Sequence, residues 1–348
     1  MIADSAQPQH ISRTITERHP MTYDESWDRP HEVGPEDGWQ ESDCYWFYDA
    51  AAGIGGYHRI GMRPNQGTAQ VMLMVFELGG ERFTLNDSFI NDRHITATNR
   101  TDAGQHVDGH SALSLGDKRM RYQWDEGDTA AELEFYKSFY EPRGWPGHSS
   151  EVMKNVNAGG HLECSGRIRG QIRIGTRSYT IDGLAHRDRS WGFRDHSMIE
   201  FHRYRLSSGT IGPEFSFASH AITLRGRGSA VGGFIARNGH TEDVVDVRVL
   251  TTLDADGFTS MGSQTILTLA SGEKIQVPAS VVQGFVNPLG EGTFATCSIA
   301  EISWGGSPGF QNLEVSPNPG RGTYIPTAED GSLHATESGL SQTADHRL

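Results

Sequence analysis

Short strand-like runs, separated at short intervals by Gly, Pro, Asn and Asp, recur along this chain and constrain its fold more than any other feature. The segment 161–174 shows the pattern best, because its apolar residues fall on one face of a strand: Leu162, Cys164, Ile168, Ile172 and Ile174. Helix signals are scarce, and the best is Ser150 followed by Glu151 and a short run to residue 156. We therefore predict an all-β fold of antiparallel barrels or sandwiches, and not a doubly wound parallel sheet.

The strand-like runs predict two β domains between two tails. They cover residues 44–49, 56–62, 69–77, 118–124, 131–140, 161–174, 199–206, 214–224, 231–236, 244–250, 264–269 and 293–304. The polar segments 1–20 and 316–348 predict a disordered and a flexible tail. We place the domain boundary at the turn signal of Asp182 and Gly183, not in the irregular loop 141–160, because the strand at 161–174 looks continuous with the N-terminal half. This gives an N-terminal domain at 21–181 and a C-terminal domain at 182–315.

The charge balance disfavours several kinds of partner. With 30 basic against 44 acidic residues, the formal charge is −14, and such a surface repels phosphate backbones and anionic lipids. We expect no nucleic-acid partner, and no membrane insertion, because no window approaches the roughly 20 apolar residues that span a bilayer. The polar N-terminus carries no signal-peptide pattern, so a cytoplasmic location is expected.

The common motifs for cofactors, metals and nucleophiles are absent from the sequence. It contains no GxSxG, P-loop or HExxH pattern, and the Gly-rich run at 53–56 is not GxGxxG. His106 and His110 have the spacing of metal ligands on a helix, but their surroundings are typical of a loop. The three cysteines fit no zinc or redox spacing, and we interpret them as small buried hydrophobic residues: Cys44, Cys164 and Cys297. These patterns disfavour dinucleotide binding and give only a weak metal signal.

The segment 186–195 (HRDRSWGFRD) is the densest cluster of charge in the chain. Burying charged groups unpaired is expensive, so such density rarely serves a core. In one interpretation the Arg and Asp residues pair with each other at the mouth of a barrel, and Trp191 plugs the core beneath them. In the other, Asp188 or His186 is a proton donor whose acidity depends on a neighbouring Arg and on burial under Trp191. The spacing leaves both interpretations open.

Strand alternation places further polar residues together. His161 and Glu163 share a strand face and could share a proton or bind a metal, although the polar residues that continue this face favour a solvated surface. Glu200, His202 and Tyr204 also share a face, as a polar patch in a cavity or as a solvated surface. His220 shares its face with Ile222 and Leu224, which indicates an inward-facing histidine. The aromatic run at 45–48, with Tyr57 following, suits packing or a barrel that holds an apolar ligand.

Two segments of the sequence carry a family resemblance. The segments 59–65 (RIGMRPN) and 188–195 (DRSWGFRD) resemble the lipocalin-like superfamily of carotenoid 1,2-hydratase (hydroxyneurosporene synthase) and the AttH-type proteins, and more closely its uncharacterised bacterial two-domain branch. His161 and Glu163 before a Gly-punctuated strand, and the stretch 307–314 with its closing Glu, are similar to that branch too. The resemblance covers roughly residues 25–315.

The resemblance implies two tandem lipocalin-like barrel or sandwich domains, an apolar ligand pocket, and no metal or organic cofactor. The group contains hydratases of carotenoids and prenylated isoflavonoids, and fungal relatives that steer Diels–Alder cyclisations. In the carotenoid hydratases an HNW triplet precedes the matching Gly, and its His and Trp matter for activity. Here the triplet is Arg189, Ser190 and Trp191, so the Trp carries over and the His does not, while Asp188 stands at the matching Asp.

We therefore predict a cofactor-free hydratase/dehydratase or isomerase that uses acid–base chemistry on a small hydrophobic substrate, isoprenoid-like or polycyclic. An acid, Asp188 or Glu163, protonates an alkene or a leaving oxygen, and His161 or His186 relays the proton or activates water. Trp191 and Tyr204 stabilise a developing carbocation through their π faces. The residues expected to bind substrate are His202, Tyr204, His220 and Tyr57. The alternatives are a non-catalytic carrier of an apolar ligand and a pericyclase, and the oligomeric state stays open between monomer and homodimer.

Overall fold

The computed structural model describes residues 23–80, 82–86, 93–145, 152, 159–194, 201–224, 228–254, 259–290 and 293–316, with the backbone alone at 201–203, 288–290 and 293–294. Antiparallel strands dominate these residues, which confirms the all-β prediction. The helical turns in them are three short 3₁₀ helices, Glu25–Asp28, Pro64–Gln66 and Ala97–Asn99. Within the described ranges, no helix has the length and apolar character needed to cross a membrane.

The first sheet contains twelve strands. In chain order β1 to β12 they are Trp39–Asp49, Ile54–Arg63, Thr68–Glu77, Arg82–Asn86, Arg93–His94, Arg100–Thr101, Gly104–Val107, His110–Gly116, Arg119–Glu126, Thr129–Ser138, Gly160–Ile174 and Arg177–Phe193. Their spatial order is β4-β3-β2-β1-β12-β11-β10-β9-β8-β7-β6, and β5 pairs with β3. The long strand β12 therefore lies between β1 and β11, near the middle of the sheet.

The second sheet contains nine strands and closes on itself. Strands β13 to β21 are Phe201–Arg203, Arg205–Gly212, Phe215–Leu224, Gly228–Arg237, His240–Leu253, Ser260–Leu269, Lys274–Gly290, Thr293–Trp304 and Ser307–Val315. The order is β13-β15-β14-β21-β20-β19-β18-β17-β16, and β15 also pairs with β16. This extra pairing makes β14 to β21 a closed barrel of eight strands, a size that side chains can fill.

The core of the first sheet follows from alternation along its strands. The predicted apolar face of β11 is buried, with Leu162, Cys164 and Ile168 at 0 % exposure. These side chains pack with Tyr45, Phe47 and other residues of β1 to β10, and Trp27 and Tyr23 of the N-terminal segment pack against them. The three cysteines are buried and free, as predicted.

The opposite face of the first sheet packs against the second sheet. Trp46 and Tyr48 of β1 and Tyr57 of β2 join Phe285 and Cys297 of β19 and β20 in one buried cluster. Strand β1 is buried along its whole length, because its inner residues face the first core and its outer residues face the barrel. The aromatic residues at 45–48 therefore pack alternately into the core of the first sheet and into the interface between the two sheets.

Two sequence expectations are corrected by the strand boundaries of β12, β13 and β14. Asp182 and Gly183, predicted as a turn, lie inside this strand, where Gly183 pairs with Ile168. The glycine fits close packing and not a turn, because a Cβ there would lie 2.7 Å from the carbonyl oxygen of Tyr48. The strand predicted at 199–206 is also interrupted, since β13 ends at Arg203 and β14 begins at Arg205.

The two sheets divide between Phe193 and Phe201, and not at the predicted boundary of 181 and 182, which falls within β12. The grouping of the chain into two domains stays a prediction. The predicted tails lie almost wholly outside the described residues, and so does the predicted helix at 150–156 except for the buried Val152.

Candidate functional site

The dense segment 186–195 lies in β12 as far as Phe193, and its residues alternate between two environments. Arg187, Arg189 and Trp191 face the core of the first sheet, whereas His186 and Asp188 face the second sheet. One strand thus carries a structural face and a candidate functional face. The ion-pairing interpretation of the sequence describes the first face, and the proton-donor interpretation describes the second.

The inner face of β12 is an ionic network with carboxylates of other strands. Arg187 pairs with Asp28, and Arg189 lies 2.8 Å from Asp43 and 2.7 Å from Glu41. Burial alone would raise the pKa of Glu41, but Arg189 and the neighbouring His31 lower it to about 2. The predicted pairing of Arg with Asp is present, but its acidic partners come from outside the segment. We assign this network to holding β12 in place.

Trp191 does not join the functional face. Its ring stacks on His31 with a centroid distance of 3.8 Å, in the core of the first sheet. Gly160 lies directly opposite on β11, and a Cβ there would lie 2.1 Å from the indole. Trp191 therefore lies on the face of β12 opposite to Asp188. At the end of the segment, Arg194 donates to Ser190 Oγ at 3.1 Å, and Asp195 lies outside the described residues.

The outer face of β12 meets the polar face of β11. Glu163 lies directly opposite Asp188, and Ser165 directly opposite His186. The Nε2 atom of His161 is 3.2 Å from a carboxylate oxygen of both Glu163 and Asp188. The Nε2 atom of His186 contacts the other oxygen of Glu163. Four of the five predicted catalytic residues thus form one cluster, which we call the inter-sheet cluster: His161, Glu163, His186 and Asp188.

Burial of the inter-sheet cluster corrects the expectation of a solvated face. His161, Glu163 and Ser165 are 3 %, 2 % and 0 % exposed, while Arg167 and Arg169 farther along β11 are partly exposed. The sequence alone cannot show that the first half of this β11 face is buried and the second half exposed, because the difference arises from the second sheet, which covers only the first half. Asp188 keeps 24 % of its side chain exposed.

Hydrogen bonds connect the cluster to the barrel. Thr210 of β14 donates to Ser165 Oγ at 2.9 Å, and the same oxygen lies 2.9 Å from Nδ1 of His186. Tyr140 donates to Ser165 Oγ at 3.2 Å. The orientation of the His186 ring is therefore set from both sheets.

The charges within the cluster stabilise each other. Burial alone would raise the pKa of Glu163, but His186 and His161 outweigh it and lower the pKa to about 2. Burial alone would lower the pKa of His161, but Asp188 and Glu163 outweigh it and raise the pKa to about 9. At neutral pH Glu163 is therefore an ionised carboxylate beside a protonated imidazole.

A second carboxyl group approaches from the barrel. Glu314 of β21 is 8 % exposed and accepts a hydrogen bond from the Tyr204 hydroxyl at 2.8 Å. Burial raises the pKa of Glu314 to about 7; the hydrogen bond from Tyr204 opposes this shift, and the charges of Asp188 and Glu163 add to it. Glu314 was not among the predicted site residues, and its only sequence signal is its place at the end of the family-like stretch 307–314.

Aromatic rings form one wall of the cluster. The Trp145 ring lies between two imidazoles, with centroids 3.9 Å from His161 and 4.3 Å from His220. His220 is buried as predicted, but it faces the first sheet from the outside of the barrel. Tyr57 packs on Trp46 at 4.2 Å in the layer between the sheets. The side chain of His202 lies outside the described residues.

The inter-sheet cluster could also hold a cation. One nitrogen of His161 and one oxygen each of Glu163 and Asp188 lie within 4.8 Å of one another, and this is the single such group in the described ranges. Nitrogen and carboxylate ligands suit several divalent metals. The expected absence of a metal stays a prediction.

A cavity of about 780 Å³ lies at a different place, around the hairpin of β7 and β8. His106 and His110, the predicted loop residues, lie on these two strands and line it. Its lining residues on β11 include Ile172, which is about 30 Å from Glu163 along the strand at roughly 3.3 Å per residue. We favour the inter-sheet cluster as the candidate site, because the buried titratable groups with opposed pKa shifts are there.

The fold and the site together define an all-β, lipocalin-like protein with a buried cluster of histidines and carboxylates between two sheets. The chain belongs to the family described as domain of unknown function 7064, whose model matches residues 24–319. No curated protein matches the sequence.

Three solved structures share the fold. An AttH-like protein of Nitrosomonas europaea matches with a TM-score of 0.57 and 10 % identity over 86 % of this chain and 98 % of that one. CghA with Sch210972 matches with a TM-score of 0.58 and 11 % identity over 82 % and 90 %. Kievitone hydratase from Nectria haematococca matches with a TM-score of 0.55 and 9 % identity over 86 % and 94 %. The predicted lipocalin-like fold is confirmed.

Proposed function

We propose that this protein is a hydratase/dehydratase or isomerase that acts by acid–base catalysis on a hydrophobic, isoprenoid-like or polycyclic substrate held between the two sheets. One observation carries the proposal: two buried carboxyl groups at one site have pKa values moved apart, Glu163 to about 2 and Glu314 to about 7. Such a pair keeps one carboxylate ionised beside one protonated carboxylic acid near neutral pH, and Asp188, linked to Glu163 through His161, is the accessible carboxylate that acts as base. The similarity in fold to kievitone hydratase is compatible with this chemistry.

In hydration, Glu314 gives its proton to one alkene carbon, and the π electrons form the new C–H bond. Water then adds to the resulting carbocation, and its proton passes to Asp188. Asp188 suits this role, because it is the most exposed member of the inter-sheet cluster and lies 3.2 Å from His161. Dehydration is the reverse sequence.

In isomerisation, Asp188 removes an allylic proton and Glu314 returns a proton at the other end of the shifted double bond. His161 links Asp188 to Glu163 and stabilises the negative charge on both. Trp191, the predicted aromatic face beside developing positive charge, lies on the opposite face of β12 and has no part in this step.

Solvent deuterium tests the proposal. The protein is incubated in D₂O with terpenoid, prenylated aromatic and steroid alkenes, and mass spectrometry follows deuterium at carbon and the addition of water. We expect incorporation with at least one substrate class, and loss of about 10²-fold or more in Asp188→Asn and Glu314→Gln. A carrier or a pericyclase, the two alternatives, transfers no proton. Absence of incorporation across the panel, or incorporation unchanged in both variants, overturns the proposal.

A further inference from the structure

Trp145 carries a buried hydrogen-bond donor beside the inter-sheet cluster. Its indole Nε1 is shielded from solvent and has no hydrogen-bond partner within the described part of the chain, and the residue is 6 % exposed. Buried N–H groups are nearly always paired, so this donor is available to an acceptor on a bound ligand. An indole nitrogen only donates, and its partner must therefore be an acceptor.

Contacts with both sheets hold the indole in place. The His161 ring is tilted against it at 3.9 Å, and the His220 ring stacks on it at 4.3 Å. Two residues earlier, the backbone of Arg143 pairs with that of Glu163 at 2.8 and 3.2 Å. The Arg143 guanidinium donates to Thr241 at 2.8 Å and Asp243 at 2.7 Å on the barrel. The Trp145 donor is therefore presented at a defined position next to the acid–base groups.

We propose that the Nε1–H group of Trp145 binds a carbonyl oxygen of the substrate, so that the substrate is an enone or a β-hydroxy ketone on a hydrophobic skeleton and not a plain hydrocarbon. This inference rests on the proposed function and narrows its substrate class. A carbonyl oxygen is an acceptor without a proton of its own, which matches a site that offers an N–H donor.

The spacing supports a carbonyl close to the reacting carbon. His161 lies between Trp145 and the two carboxylates, 3.9 Å from the indole centroid and 3.2 Å from Glu163 and Asp188. A group bound by Trp145 is therefore only a few bonds from a carbon that Asp188 can reach. With a carbonyl beside the alkene, hydration runs through an enolate and not a carbocation: water adds to the β-carbon and loses its proton to Asp188, and Glu314 then protonates the α-carbon. In a β-hydroxy ketone the reverse sequence begins with removal of the α-proton, which the carbonyl acidifies.

Paired ligands test the inference by binding alone. Carvone and limonene share one monoterpene skeleton, and carvone adds a conjugated carbonyl. Calorimetry measures both with the wild type, with Trp145→Phe and with the control Trp304→Phe, whose ring packs on Phe215 in the barrel. We expect the wild type and the control to bind carvone about tenfold more tightly than limonene, and Trp145→Phe to lose this preference.

A second measurement, made on the wild type, tests the inference even if the Trp145 variant does not fold. In the ¹⁵N-labelled wild type, the indole resonance of Trp145 should shift downfield with carvone and not with limonene. Equal affinity for both ligands, no carvone binding, or a preference that survives Trp145→Phe overturns the inference. Selective binding without deuterium incorporation leaves this inference standing and removes the proposed function, whereas incorporation without selectivity does the reverse.

Discussion

Glu163 and Asp188 lie directly opposite each other on β11 and β12, and Nε2 of His161 is 3.2 Å from an oxygen of each. Two carboxylates opposed in this way repel each other, and the repulsion grows as solvent is removed. The protonated imidazole between them offsets it. The pair is therefore a site of stored electrostatic energy, which is typical of catalytic positions.

Replacing His161 should destabilise the fold in a pH-dependent way. The pKa of His161 is raised from 6.5 to about 9, so its contribution is fully present below pH 6.5 and is lost as the pH rises through 9. We expect His161→Gln to lower the free energy of unfolding by about 3 kcal/mol at pH 6, and by little above pH 9. Urea denaturation across this range measures it, with the exposed His106→Gln as control. A deficit that stays constant with pH contradicts the assignment.

Replacing Glu314 should stabilise the protein at high pH. The folded-state pKa of about 7 lies above the ordinary value of 4.5, so wild-type stability falls as the pH rises from 4.5 through 7. Glutamine keeps the acceptor for Tyr204 without the charge. We expect Glu314→Gln to raise the free energy of unfolding by up to about 3 kcal/mol at pH 8 and to leave it unchanged at pH 4. Equal stability of the two proteins at pH 8 contradicts this.

The buried pair of Asp28 and Arg187 should matter for stability and not for chemistry. Asp28→Asn leaves the Arg187 charge buried without its partner, so we expect a loss of about 3–5 kcal/mol in the free energy of unfolding. The surface pair of Arg167 and Asp182 is the matched control, and Asp182→Asn should change stability by less than about 1 kcal/mol. Similar losses in the two variants, measured by urea denaturation, argue against the structural role.

Trp191→Phe tests whether Trp191 contributes to stability alone or also to the chemistry on the opposite face of β12. The variant loses part of the stack on His31, and we expect a loss of about 1 kcal/mol in stability. Because the ring faces away from Asp188, the rate of deuterium incorporation should stay close to that of the wild type. A loss of incorporation in correctly folded Trp191→Phe places this residue back among the catalytic ones.

The sequence predicts the fold class and most strands wherever one face is apolar, as in β11. It conceals β12, because Arg187 and Arg189 occupy inward positions where a pattern search expects apolar residues, and their partners Asp28, Glu41 and Asp43 lie more than a hundred positions earlier. The sequence selects His161 and Glu163 from one strand and His186 and Asp188 from the dense segment, but only the pairing of β11 with β12 brings the four residues together.

Glu314 and Trp145 illustrate what local patterns cannot provide. Glu314 bonds to Tyr204, which is 110 positions away, and its pKa depends on burial between two sheets. Trp145 comes from an irregular segment beyond β10, and its position at the site is visible only from its ring contacts with His161 and His220 in the structure. Both depend on how the barrel packs on the first sheet, and no spacing within one strand encodes that contact.

The most direct test of the acid–base pair is a carbon-13 NMR titration of protein labelled at the glutamate carboxyl carbons. Difference spectra against Glu163→Gln and Glu314→Gln assign the two resonances. We predict a midpoint of about 7 for Glu314 and of about 2, or no titration before acid unfolding, for Glu163. If both groups titrate together near the ordinary value of 4.5, Glu314 is not an acid held beside the ionised Glu163, and the proposed chemistry has no basis.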